Sequence, residues 1–168
     1  MIREISAGGV VVRYRDGAWW MAAIQPAGDS VAPKPQSSQK KRAVQPKSKT
    51  TLCLPKGLVD PGEKTLEAAL REVHEETGIS ATSITKLADI KYMYVRSWSD
   101  GERVFKIVSF YLLRYESGEI DHISQDMRVE VAQALWIPLA DAPKLLAYKG
   151  EKQMARQALE YLEAHAEV

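Results

Sequence analysis

Five glutamates and one arginine fall within the 23 residues from Gly57 to Ile79, GLVDPGEKTLEAALREVHEETGI, and their spacing lays out a site for a divalent cation. Asp60-Pro61-Gly62-Glu63 predicts a tight turn, because proline presets the first turn dihedral and glycine accepts the positive φ that a type II turn needs next. A helix should follow from Thr65, read as its N-cap, with Leu66, Ala69, Leu70 and Val73 recurring as an apolar stripe and Gly78 as its stop. Glu72, Glu75 and Glu76 then stand on the flank of that stripe, three and four residues apart. Like charges at this spacing weaken a helix unless a cation lies between them. Mg²⁺ suits such a cluster: it takes oxygen ligands, keeps several waters and is usually held by one or two carboxylates together with substrate phosphates. Mn²⁺ is the alternative.

Each feature has an ordinary structural use, as a solvated acidic face, a helix stop or an Arg71 to Glu75 surface pair. Together, Gly57, Glu63, Arg71, Glu72, Val73, Glu75, Glu76, Gly78 and Ile79 fill the pattern G-x5-E-x7-R-E-U-x-E-E-x-G-U, with U apolar. At typical residue frequencies, chance yields that pattern about once in 10⁸ to 10⁹ windows. It is the complete Nudix box, and the chain resembles a Nudix hydrolase. The likeness extends to Ala7-Gly8-Gly9-Val10-Val11-Val12, similar to the family's opening strand, and to Leu54-Pro55-Lys56-Gly57, similar to the strand end leading into the box. Leu52 stands where relatives often carry tryptophan. Glu130, six residues before Trp136, resembles the spacing of the asymmetric diadenosine tetraphosphate hydrolases.

The resemblance implies roles residue by residue. Glu72 and Glu76 match the principal metal-binding carboxylates, Glu75 assists, and the carbonyl of Lys56 matches a further ligand. Arg71 and Glu63 match an ion pair that orients the glutamates. Glu130 matches a carboxylate reaching the metal from a separate loop, with Glu102, Glu116, Glu119, Asp121 and Asp126 as other acids of the second half. Either Glu75 or Glu130 is the base that takes a proton from water attacking phosphorus. Lys56 and Gly57, with Tyr92 and Tyr94, are the implied substrate-binding positions, although two tyrosines two apart also suit one face of a strand. Lys106 is a further candidate phosphate contact, while His74 reads as a surface residue. The expected reaction is Mg²⁺-dependent hydrolysis of a phosphoanhydride in a nucleoside polyphosphate, with diadenosine tetraphosphate foremost. Alternatives are oxidised nucleoside triphosphates, RNA 5′-pyrophosphate ends, or a nucleotide-sensing module without catalysis. ADP-ribose is disfavoured, because its hydrolases tend to have a proline in a region where this chain has none between Pro61 and Pro138.

The surrounding elements must hold these groups in place. Runs at Glu4 to Arg13, Trp19 to Gln25, Leu87 to Val95, Val104 to Arg114 and Ala134 to Ile137 read as strands, with Asp16-Gly17 and Asp100-Gly101 as hairpin turns. Asp141 to Tyr148 and Glu151 to Ala166 read as helices, the second with Met154, Ala158, Tyr161 and Leu162 on one side. The expected fold is α/β, a Nudix-type α/β/α sandwich with a mixed, partly antiparallel sheet. At 168 residues the chain suits one domain, 1–168. A basic low-complexity insert interrupts it at about 28–50. Ser30 to Thr50 carries six basic residues and no acid, and taking these from the total of 23 leaves 17 basic against 22 acidic residues. Its Pro, Ser and Gln content cannot build a core, so it reads as a loop; contact with nucleic acid through it is possible but not favoured. A single cysteine, Cys53, and the lack of any long apolar run suggest a cytoplasmic protein without membrane contact.

Overall fold

The computed structural model describes residues 2–28, 51–96 and 101–166. Among them, β1 (Ile2–Arg15) and β2 (Ala18–Pro26) form a hairpin. Asp16 at φ 54° and Gly17 at φ 80° make its two-residue turn, the left-handed pair whose twist matches the flanking strands. Next come β3 (Lys56–Leu58), α1 (Thr65–Thr77), β4 (Ile79–Val95), β5 (Arg103–Gly118), β6 (Val131–Pro138), α2 (Ala142–Leu145) and α3 (Lys149–Ala164). The strands order as β4-β5-β1-β2-β6. β1 runs parallel to β5 and antiparallel to β2, while β3 pairs antiparallel with β1 at Ser6 to Gly8. The sheet is therefore mixed, as expected.

Residues Ser6 to Val12 of β1 are buried without interruption, which marks a strand covered on both faces. On one face Ala7, Val11, Tyr111 and Leu113 pack under Ala68, Ala69 and Val73 of α1. On the other, Val10, Val12, Phe110 and Leu112 meet Met154, Ala155, Ala158 and Leu162 of α3. The three layers form the α/β/α sandwich. Lys56 to Leu58 lies against the same strand that carries both cores, so the start of the box is fixed between α1 and α3.

Several sequence expectations change. Thr65 is the first helical residue and Lys64 precedes it as the cap; Glu67 Oε1 accepts the Lys64 N–H at 2.9 Å, and the Thr65 hydroxyl instead meets the Tyr111 hydroxyl at 2.6 Å. β4 starts at Ile79 rather than Leu87, because bulges at Ser80/Ala81, Ser83/Thr85 and Lys86/Ala88 break the alternation that marks a strand in sequence. The helix expected over 141–148 shrinks to α2, since Leu146 turns extended at ψ 145° and bridges to Leu52. That bridge also buries Leu52 in the α3-side core. Asp100 and almost all of the basic insert lie outside the described residues. Among the described residues no helix is long and apolar enough to cross a membrane.

Candidate active site

The turn before α1 forms as its residue types require. Gly62 has φ 82° and the Glu63 N–H donates to the Asp60 carbonyl at 3.0 Å. From the second turn of α1, Arg71 faces back toward Glu63 in the preceding turn. Its Nε and Nη2 donate to Glu63 Oε2 and Oε1 at 2.8 and 2.9 Å, a two-pronged pair. Nη2 also reaches the Leu58 carbonyl at 3.0 Å, and Nη1 reaches Glu72 Oε2 at 3.0 Å and Glu75 Oε1 at 3.3 Å. One guanidinium thus ties the turn, β3 and two of the three clustered glutamates. Hydrogen bonding from Arg71 first, and the Asp60 N–H second, holds the Glu63 carboxyl down at about 2.

Glu76 lies deeper, only 6% exposed, at the end of the stripe that buries Val73. Burial and then the Glu72 charge push its carboxyl up to about 8, against the pull of the Lys56 N–H, which donates to Oε1 at 3.1 Å. Burial also raises Glu72, opposed by Arg71 and reinforced by the charges of Glu75 and Glu130. Gly57 makes room for this carboxyl: a Cβ built there would collide with all three atoms of the Glu72 carboxylate. A buried acid and a half-buried one, both with carboxyls raised by lost water, constitute a donor set that a hard cation satisfies. Among the described residues no group of three carboxylate, imidazole or thiol side chains is already gathered as a metal cage.

Lys56 faces the other way with its side chain. It lines a cavity of about 420 Å³ with Ile90, Tyr92, Lys106, Phe110, Tyr148, Gly150 and Glu151. Its ammonium pairs with Glu151 Oε2 at 3.1 Å, and Glu151 Oε1 accepts the Leu54 N–H at 2.8 Å. Burial is the largest influence and works against the Lys56 charge, but Glu151, Cys53 and Tyr92 together outweigh it and raise the ammonium above its usual range. Glu151, 5% exposed, is the site residue that sequence reading missed. An acid in the first turn of a helix is ordinary for its dipole, and nothing local distinguishes this one.

The two tyrosines separate. Tyr92 enters the cavity, whereas Tyr94 donates its hydroxyl hydrogen to Glu4 Oε1 at 3.2 Å and is not among the cavity's lining residues. Glu130 follows a 3₁₀ turn at Asp126–Val129; it is exposed, and its charge acts on both Glu72 and Glu76. Asp121 is committed elsewhere, to Arg128 and the Ala134 N–H. His74 is exposed, as read.

The sequence and the fold have known counterparts. The family model described as NUDIX domain matches residues 36–158, and the chain belongs to that family. It is 33% identical over 165 residues to the "Putative mutator protein MutT4" of Mycobacterium tuberculosis, an alignment covering 96% of this chain and 57% of that protein. The chain thus spans a little over half that relative's length. To the asymmetrical bis(5′-nucleosyl)-tetraphosphatase of Mus musculus it is 32% identical over 111 residues, 64% of this chain and 69% of the other. The fold matches the crystal structure of a C. elegans Ap4A hydrolase binary complex with a TM-score of 0.64 at 23% identity, covering 96% and 98% of the two chains.

Proposed function

We propose that this protein is a pyrophosphohydrolase that uses Mg²⁺ to cleave a phosphoanhydride in a nucleoside polyphosphate, foremost diadenosine tetraphosphate or a close dinucleoside analogue. The observation that carries this reading is the pairing of under-compensated Glu72 and Glu76 with a cationic, aromatic-lined cavity on the far side of Lys56. Glu72 and Glu76, with Glu75 and the Lys56 carbonyl, hold the cation; Mn²⁺ suits the same donors. When bound, such a cation neutralises the polyphosphate and acidifies the attacking water. Glu75 or Glu130 takes the proton from that water. Arg71 and Glu63 keep the carboxylates aligned throughout. Lys56 and Lys106 meet phosphate oxygens, and Tyr92 with Tyr148 offers ring faces to a base. Tyr94, bound to Glu4, serves the sheet instead.

The relatives support this substrate class without being this protein. Identity to a tetraphosphatase favours the dinucleoside reading, and nucleoside triphosphates, oxidised ones included, stand as the second. The single-domain reading of 1–168 and the cytoplasmic location belong to the same proposal. The test is product analysis in ¹⁸O-water with diadenosine tetraphosphate, ATP, 8-oxo-dGTP and a 5′-triphosphorylated RNA, for wild type and Glu76→Gln. Rapid turnover of the dinucleotide by wild type, lost in the variant, is expected. Faster release from 8-oxo-dGTP selects the second reading, and no release by wild type from any compound leaves a nucleotide-binding module.

A further inference from the structure

Glu130 is carried by a loop, and a loop side chain acts at a fixed point only when the backbone beneath it is held. Between β5 and β6, Ile120, Ile123 and Met127 pack against the core, and one acid–base pair adds a polar hold. Asp121 adopts a left-handed φ of 74°, and its N–H donates to the carbonyl of Thr77, the last residue of α1, at 2.8 Å. Its Oδ1 accepts both Arg128 Nη1 at 2.9 Å and the Ala134 N–H at 2.8 Å. Arg128 returns Nη2 to the Asp121 carbonyl at 2.8 Å and Nη1 to the Ala132 carbonyl at 3.0 Å. Four segments are thereby joined: the end of α1, the start of the loop, the 3₁₀ turn and the start of β6.

Close backbone packing reinforces the joint. A Cβ on Gly78 would stand 2.9 Å from the Glu119 carbonyl oxygen and 2.5 Å from that of His122, so the box's final glycine admits this loop as well as ending the helix. Glu130 lies two residues beyond Arg128. Its N–H donates to the Met127 carbonyl at 2.8 Å and its carbonyl accepts the Ala27 N–H at 2.9 Å, so its backbone follows the turn that Arg128 fixes.

We propose that Asp121 and Arg128 are positioning residues, a clasp that docks the loop on the end of α1 and so sets Glu130 against Glu72 and Glu76. The inference rests on the reading that Glu130 works at the site. Glu130 is the group that acts, and the clasp acts through it.

The test measures kcat and KM with Mg²⁺ on the fastest-hydrolysed compound of the panel above, for Glu130→Gln, Arg128→Met, Asp121→Asn, Arg128→Lys and the double variant Arg128→Met/Glu130→Gln. Asparagine tolerates the left-handed backbone at 121, which keeps that variant folded. Glu130→Gln should lower kcat about 100-fold, as loss of a general base does. Arg128→Met and Asp121→Asn should lower it about tenfold with KM nearly unchanged, and Arg128→Lys should recover part of the loss. The double variant should be no slower than Glu130→Gln alone, because the clasp then has nothing left to position. A further tenfold fall in the double variant, a change confined to KM, or full activity in Arg128→Met overturns the clasp. Full activity in Glu130→Gln overturns instead the reading of Glu130 itself, and the clasp's role with it.

Discussion

Replacing Glu76 by glutamine should make the metal-free protein more stable in mild alkali while leaving it nearly unchanged near pH 5. The Glu76 carboxyl is raised from 4.5 to about 8, by burial first and by the Glu72 charge second. A folded-state value above the unfolded one means that the native protein keeps the proton longer, so this group's contribution is full below about pH 4.5 and is lost as pH climbs toward 8. A shift of that size corresponds to at most about 5 kcal/mol, and sharing of charge with Glu72 brings the expected gap to about 3 kcal/mol. Glutamine keeps an acceptor for the Lys56 N–H, now at 3.1 Å, and carries no charge to be stranded. Thermal or urea unfolding in EDTA near pH 9 should therefore favour the variant, by about 6–12 °C in Tm for a domain of this size. Near pH 5, where wild-type Glu76 is protonated, the two should melt together. Adding Mg²⁺ near pH 9 should stabilise wild type by mass action and the variant far less. If the variant is no more stable than wild type near pH 9 in EDTA, or if the gap persists unchanged near pH 5, the account of Glu76 as a buried acid awaiting a cation is wrong.

Two further substitutions probe the supports of the site. Gly57→Ala places a methyl where the Glu72 carboxylate lies; since that side chain can swing away, the fold should persist while half-saturating Mg²⁺ rises about tenfold, read from a metal titration of activity. Glu151→Gln strands the Lys56 ammonium, whose partner stands at 3.1 Å, and should cost about 2 kcal/mol in urea unfolding; adding Lys56→Met should restore most of it, because removing both charges leaves none unpaired.

Much of the glutamate-bearing half was legible in the chain because its determinants are local. The turn at Asp60 to Glu63, the helix from Thr65 to Thr77 and its stop at Gly78 depend on dihedral preferences and a 3.6-residue period. The Arg71–Glu63 pair was legible only through the family resemblance, since Glu63 lies in the turn before the helix. The boundaries that shifted were those set by distant contacts. β4 hid its first half behind bulges that only its pairing with β5 reveals, and α2 stopped early because Leu146 is drawn to Leu52. Tyr92 and Tyr94 were equivalent in sequence; Tyr92 enters the cavity, while Glu4, 90 residues from Tyr94, takes the hydroxyl of the other.

From its residues by themselves the chain specified a cluster of acids on one helix, the turn that introduces it and the arginine that orders it, because each of these is written within a few turns of backbone. Folding alone decided which acid would be starved of water and which lysine would be paired. Glu76 is raised because folding buries it and sets the Glu72 charge beside it, against the pull of Lys56, and Glu151 meets Leu54 from 97 positions away. Such long-range partners carry no local signature, since an exposed first-turn glutamate and a buried one differ only in what the rest of the chain packs against them.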